Sequence, residues 1–309
     1  MEEIRDVFGN LISEIGGKDS RIVVLDADLG TSTRASKFSK IPGRFIQCGI
    51  AEQNMVGVSA GLALKGFIPF AVSFAVFIAG RCYDQIRVSI AYPNLNVKLI
   101  GSHAGLTPGP DGPTHQAIDD IALMRALPNM MVLEPADRRE MAMVIEESIK
   151  LEGPVYIRMN RGSSPDIYDN KPAFRKINIL REGKDVALIA SGFMVHKAIK
   201  AAKLLELENI SALIASVHCI KPIDTETLLD IAKKVKFIVT IENHSIVGGL
   251  GSVISEVLSE IYQIPILKIG IKDTFAESAE TDDLFKKYGL TEMDIVKKVI
   301  ENINMTQFS

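Results

Sequence analysis

Short, continuous apolar runs alternate with helix-length stretches along this 309-residue chain, and that alternation constrains its fold more than any other feature. Strands are expected at 21–26, 67–72, 96–100, 130–134 and 155–158, separated by helices that include 116–126, 137–151 and one ending before Pro93. Strands that are apolar throughout, rather than on alternate residues, belong to a parallel sheet covered by helices on both faces. After a polar stretch with prolines the pattern restarts. Strands are expected at 185–190, 211–215, 237–241 and 265–269, helices at 195–207, 224–234 and 249–262, and two short helices at the end. A chain this long exceeds what one core usually encloses. The expected architecture is α/β: a parallel-sheet domain over 1–162, a linker over 163–184, and a smaller α/β domain over 185–309. Ligands of such sheets bind beyond the carboxyl ends of the strands, so the informative loops are sought there.

Composition narrows the partners. Apolar residues at 47% and charged residues at 24% are ordinary for a globular protein. A net charge of −3 and an isoelectric point near 6.0 give no reason to expect nucleic acid or an anionic membrane. The opening Met-Glu-Glu-Ile-Arg-Asp is too polar for a targeting peptide, and the apolar run over 67–80 falls short of the roughly 20 residues a span needs. Cys48, Cys82 and Cys219 are widely spaced and form no C-x-x-C, so they read as buried thiols of a reducing, cytoplasmic compartment.

Four segments carry chemistry-bearing residues. Glu52 follows the apolar run 44–48 and opens a segment of small and apolar residues, where an acid serves the amides and dipole of a helix start or something more specialised. The loop 101–116 holds His103, Asp111 and His115 among glycines and prolines, which allow close ligand approach and stiffen the backbone. Its imidazoles suit proton transfer near neutrality. A solvated surface loop, with His115 capping the next helix, is the plain alternative, and the spacing fits no common metal set. Phe74 and Phe77 stand at a helical i, i+3 spacing, ordinarily a core pattern. Arg158 and Arg161, at the end of the 155–158 strand, are placed either to fork onto a phosphate or to form structural ion pairs.

Taken together, these segments resemble the transketolase superfamily of thiamine-diphosphate enzymes. Cys48-Gly-Ile-Ala-Glu-Gln-Asn-Met-Val-Gly-Val-Ser-Ala-Gly61 is similar to the family's pyrimidine-binding segment, and Gly105-Leu-Thr-Pro-Gly-Pro-Asp-Gly-Pro-Thr-His-Gln116 to its donor-sugar loop. The resemblance implies that Glu52 bonds the ring nitrogen of the cofactor's aminopyrimidine and promotes loss of the thiazolium proton. It implies that Phe74 and Phe77 stack on that ring, in a pocket opened by Gly80, which stands where full-length relatives carry a third aromatic. His103, His115 and Asp111 would face the sugar's oxygens, and Arg161, ahead of Arg158, its phosphate. Asp28 and Ser32, in Ala-Asp-Leu-Gly-Thr-Ser, would reach the cofactor and the substrate phosphate. Cys219-Ile-Lys-Pro-Ile-Asp224, Glu242-Asn-His-Ser and Gly248-Gly-Leu-Gly251 resemble the family's C-terminal domain, with His218 and His244 read as structural.

The family's Gly-Asp-Gly and Asn ligands for Mg²⁺ on the diphosphate have no counterpart here. The resemblance therefore implies that Mg²⁺ and the diphosphate sit on a separate N-terminal subunit, with no metal site on this chain. The expected protein is the C-terminal subunit of a split transketolase, a homodimer core within a heterotetramer. It would move a two-carbon ketol unit from a ketose phosphate to an aldose phosphate, as in the pentose phosphate pathway. The alternatives are a 2-oxoacid dehydrogenase E1 β-type subunit, a deoxyxylulose-phosphate-synthase-type subunit, and a non-catalytic regulatory subunit. The synthases usually lack a histidine at the position of His103.

Overall fold

The structure, a computed structural model, describes residues 3–306, with side chains described through residue 303. Met1, Glu2 and residues 307–309, the outer ends of the two expected domains, lie outside the described residues. The strands are β1 (Ile22–Asp26), β2 (Phe45–Gln47), β3 (Ile68–Phe74), β4 (Lys98–Ser102), β5 (Met131–Leu133), β6 (Val155–Arg158), β7 (Asn178–Arg181), β8 (Val186–Ala190), β9 (Ala212–Ser216), β10 (Cys219–Lys221), β11 (Phe237–Ser245) and β12 (Ile266–Ile271). The helices are α1 (Ile4–Lys18), α2 (Gly30–Thr33), α3 (Glu52–Leu64), α4 (Tyr83–Ile86), α5 (Asp120–Ala126), α6 (Arg138–Lys150), α7 (Met194–Leu207), α8 (Thr225–Lys234), α9 (Leu250–Ile261), α10 (Thr281–Lys287) and α11 (Glu292–Thr306).

Two sheets result. The first has seven strands in the order β10-β5-β6-β4-β3-β1-β2, and β1 to β6 run parallel. The second has five, β12-β11-β8-β9-β7, parallel except for the edge strand β7. The continuous apolar runs are explained by burial on both faces. In β1, Val23 and Leu25 join the core under α3 and α5, while Ile22 and Val24 join the core under α1 and α6. The second sheet is likewise sandwiched, with α7, α10 and α11 on one side and α8 and α9 on the other.

Several elements fall outside the expected alternation. Helix α1 buries Ile4, Phe8 and Ile12, an i, i+4 stripe, against the first sheet. Strand β7 forms inside the stretch expected as linker; its residues are only half-buried, and pairing with β9 rather than apolar content makes it a strand. Strand β10, just after β9, crosses to the other sheet and pairs antiparallel with β5. Boundaries also move. Helix α5 starts at Asp120 rather than at 116, because the backbone at Ala117 bridges to Ala104 and its carbonyl accepts from Gly105 N at 2.8 Å. The last helix, α11, is not short: it runs 15 residues.

The two units share apolar contacts, with Leu106 and Ala136 in the core of the second and Val253 in the core of the first, and are also joined through polar groups. Arg158, fully buried, donates Nε to Asp120 Oδ2 at 2.8 Å, Nη1 to Glu134 Oε1 at 2.5 Å, and Nη2 to the carbonyls of Ala117 and Asn243 at 3.0 Å each. Ser191 Oγ donates to Glu134 Oε2 at 2.6 Å. Glu242 accepts Leu250 N at 2.7 Å and Gly251 N at 2.9 Å, capping α9 from within. A Cβ on Gly249 would lie 1.9 Å from that carboxylate, so this glycine cluster makes room for a buried acid rather than for a nucleotide.

Candidate active site

The expected site residues leave the carboxyl ends of adjacent parallel strands. Asp28 and Ser32 follow β1, Glu52 follows β2, Phe74 and Phe77 stand at and after the end of β3, His103, Asp111 and His115 follow β4, and Arg161 follows β6. Such a rim is where parallel sheets collect ligands.

Glu52 begins α3 and is 2% exposed. It accepts no side-chain capping bond for the helix; instead Ser73 Oγ donates to Oε1 at 3.4 Å and Arg81 Nη1 to Oε2 at 3.1 Å. Phe74 is the last residue of β3, which corrects the helical i, i+3 reading of the two phenylalanines. The chain then turns into a wide π-type turn, Phe77–Arg81, and this bend rather than helical spacing brings the rings together. Their centroids are 5.7 Å apart and their planes differ by 11°. Phe74 is buried, Phe77 is half-buried, and both lie against imidazoles.

His103 is buried, with φ +59°, and its ring stacks on Phe74 at 3.8 Å between centroids. Ser102 Oγ lies 2.9 Å from Nδ1 and Arg5 Nη1 3.4 Å from Nε2. Burial first, then the charges of Arg5 and Arg161, hold its pKa down to about 3, so the ring is neutral near pH 7. His115 sits edge-on to both phenylalanines, at 6.1 Å from Phe74 and 5.2 Å from Phe77, with Thr114 Oγ1 2.9 Å from its Nδ1. The structure thus gathers Glu52, Phe74, Phe77, His103 and His115 into one cluster.

The remaining residues rim it. Arg161 is half-exposed and reaches Asp111 Oδ2 at 3.4 Å. Arg158 is withdrawn from any ligand by its carboxylate partners, so the arginine at the strand's own end is the structural one. Asp28 is exposed at φ +63°, donates its backbone N to Gln47 Oε1 at 3.0 Å, and shares a recess of about 150 Å³ with Asp26, Gly30 and Ser32. His218, which packs between Glu140 (3.1 Å) and the backbone N of Arg175 (3.0 Å), and His244, enclosed near Asp120, are structural.

Two site residues escape sequence reasoning. Arg5, on α1, is 6% exposed; it donates Nη1 to the Ser32 carbonyl at 2.6 Å, pairs with Glu3, and keeps a buried Nε without a partner. No local pattern marks it as a site residue, since Ser32 and His103, the site groups it meets, lie 27 and 98 residues away in sequence. Arg81 is the second; its Cζ lies 4.2 Å from the Phe77 centroid.

The second unit holds the histidine loop in place. Asn243 Oδ1 accepts Leu106 N at 3.0 Å, Glu277 O accepts Gln116 Nε2 at 3.1 Å, and Thr281 Oγ1 donates to Thr107 O at 3.4 Å. A Cβ on Gly105, at φ +59°, would meet Asn243 at 2.3 Å, so the loop approaches that side chain as only glycine allows.

The residues fit the pyrimidine end of thiamine diphosphate. Glu52 and Phe77 take a flat N–H donor between them: the Arg81 guanidinium donates to Glu52 Oε2 at 3.1 Å with its Cζ 4.2 Å from the Phe77 centroid. Among the described residues, no three His, Cys, Asp or Glu side chains cluster as metal ligands.

Comparison with known proteins agrees with this geometry. The transketolase pyrimidine-binding domain model matches residues 2–166, and the transketolase C-terminal domain model residues 175–295. The chain belongs to the transketolase family, which works with thiamine diphosphate, and carries those two domains. A solved structure titled "Split gene transketolase, inactive beta4 tetramer" superposes with a TM-score of 0.90 at 47% identity, covering 97% of this chain and 98% of that one. The 6-deoxy-6-sulfo-D-fructose transketolase subunit SqwH of Clostridium sp. strain MSTE9 is 42% identical over 301 residues, 96% of this chain and 94% of its own length. A 1-deoxy-D-xylulose-5-phosphate synthase of Caldanaerobacter subterraneus subsp. tengcongensis is 38% identical over 303 residues but is covered for only 48% of its length. Within the family, then, this chain corresponds to the C-terminal subunit of the split enzymes. No helix of the described residues is long and apolar enough to cross a membrane.

Proposed function

We propose that this chain is the catalytic C-terminal subunit of a split transketolase that moves a two-carbon ketol unit from a ketose phosphate to an aldose phosphate. The observation that carries the reading is the single cluster of buried Glu52, the Phe74–Phe77 pair, and two imidazoles, ringed by Arg5 and Arg161. When bound, thiamine diphosphate supplies the carbon nucleophile and the electron sink. Glu52 would hold the aminopyrimidine's ring nitrogen through a shared proton, and Phe74 and Phe77 would fix the ring's plane. Neutral His103, with His115, exchanges protons with the sugar's carbonyl and hydroxyl oxygens. Arg5, Arg161 and Ser32 receive the phosphate, and Asp111 holds Arg161 in the meantime. Asp28 lies towards the cofactor on the β1 rim.

Mg²⁺ and the diphosphate are then held by a separate N-terminal subunit, within a heterotetramer in the cytoplasm. The inactive β₄ assembly named for the split-gene relative supports this reading. A synthase-type reaction is the second reading, supported by the 38% identical relative.

The test is to purify the chain with and without a partner bearing a diphosphate-binding segment and to assay cleavage of xylulose 5-phosphate. Turnover only in the complex is expected; turnover by this chain alone with cofactor and Mg²⁺ would refute the partner. In the complex, Arg161→Ala should lower kcat/KM for phosphorylated donors by about 10- to 100-fold, through KM. That is the loss of a charge-assisted bond of roughly 1.5–3 kcal/mol. Equal losses with unphosphorylated donors would remove Arg161 from the phosphate site.

A further inference from the structure

In the proposed function Glu52 and Phe77 have one task each: to share a proton with the aminopyrimidine's ring nitrogen and to give that ring a face to stack on. Both are already engaged. Arg81 Nη1 donates to Glu52 Oε2 at 3.1 Å while its guanidinium carbon lies 4.2 Å from the centroid of Phe77. The π-type turn Phe77–Arg81 returns the side chain over the ring four residues before it. A guanidinium is flat, delocalised and rich in N–H donors, so it reproduces the two contacts expected of an aminopyrimidine protonated at its ring nitrogen, an N–H to Glu52 and a flat face on Phe77.

The asymmetry of burial argues against an ordinary structural ion pair. Glu52 is 2% exposed, whereas the Arg81 side chain is 45% exposed. Without Arg81, the carboxylate would keep only the Ser73 hydroxyl at 3.4 Å, and a buried charge left without a partner is costly. Arg81, by contrast, already reaches water and loses little by swinging out. Its main chain stays anchored, because Gln53 Nε2 donates to the Arg81 carbonyl at 2.8 Å. The side chain can leave without the turn moving.

We propose that Arg81 is a built-in occupant of the aminopyrimidine seat. In the cofactor-free chain it compensates Glu52 and covers Phe77; thiamine diphosphate displaces it, and cofactor affinity is set by that competition. Arg81 is therefore an affinity-determining residue rather than a catalytic one. This rests on the assignment of Glu52 as the aminopyrimidine's acceptor.

The test is calorimetric titration of thiamine diphosphate, with Mg²⁺ in excess, into the complex of this chain with its diphosphate-binding partner. Arg81→Met keeps the length of the side chain and removes the guanidinium. It should tighten binding by roughly 3-fold or more, the lower bound set by an exposed ion pair plus one cation–π contact, because Glu52 itself is buried. The same variant should lower the denaturation midpoint of the cofactor-free protein, where Glu52 loses its cation. Arg81→Lys, which keeps charge but not the flat fork, should fall between the two and serves if Arg81→Met fails to assemble. Glu52→Ala separates the two layers of the argument. If Glu52→Ala weakens binding but the Arg81 variants bind no tighter than the parent, the occupant role is wrong and the pyrimidine assignment stands. If Glu52→Ala leaves affinity unchanged, the assignment fails and the occupant role fails with it.

Discussion

Replacing His103 by asparagine should make the protein less sensitive to acid. In the folded chain, burial and then the charge of Arg5 hold the ring's pKa at about 3, against an ordinary 6.5. Between those values the unfolded chain binds a proton that the folded chain does not, so stability falls as the pH falls through that window and is unaffected well above it. At about pH 4.5 the difference amounts to about 2.5 kcal/mol for this one ring, close to the limit of ~1.4 kcal/mol per pH unit. His196 and His244, each held down to about 4 by burial, lose stability with the same sign, but they do so in both proteins and cancel in the comparison. The assay is urea unfolding of the cofactor-free chain near pH 7.5 and near pH 4.5, for the parent and for His103→Asn. The parent should lose about 2.5 kcal/mol more than the variant over that interval, whatever the two stabilities are near neutrality. If both lose the same amount, His103 is not held neutral, and its role as an uncharged proton-exchange group at the sugar fails with it.

Arg158→Ala should cost about 3–5 kcal/mol of stability, because Asp120 and Glu134 would be left buried without their cation; a denaturation midpoint measures it, and a stable variant with only a raised KM would return Arg158 to the phosphate site. Asn243→Ala, in the second unit, frees the loop behind His103 and should lower kcat on the order of 10- to 100-fold while leaving the Kd for cofactor unchanged; loss of cofactor affinity instead would mean that Asn243 supports the whole site rather than the histidine loop.

Much of this protein is legible in its sequence because the physics involved is local. Continuous apolar strands separated by helices define two parallel sheets, and parallel sheets put ligand loops at strand ends. The candidate roles of Glu52, Phe74, Phe77, His103, His115 and Arg161 come from the family resemblance of the segments around them, because each residue alone reads equally as a helix cap, a core ring, a surface-loop group or an ion pair. Tertiary structure decided the rest. Arg158 and Arg161 are three residues apart and chemically alike, yet the strand's last side chain points into the seam between the two units and meets Asp120, Glu134 and Asn243. Arg161, beyond the strand's end, stays at the rim. Strand β10 has only three residues and gains its identity by adding to the edge of the other unit's sheet. Arg5 enters the site because α1 packs its apolar stripe on the sheet and carries the guanidinium to His103, 98 residues further on. Arg81 reaches Glu52 because the turn after β3 is wide, and nothing in Phe-Ile-Ala-Gly-Arg sets that pitch without the packing around it. Patterns of burial and turn chemistry repeat along a sequence and can be read from it. Which charge finds which partner depends on how separate elements are stacked, and only the folded chain determines that.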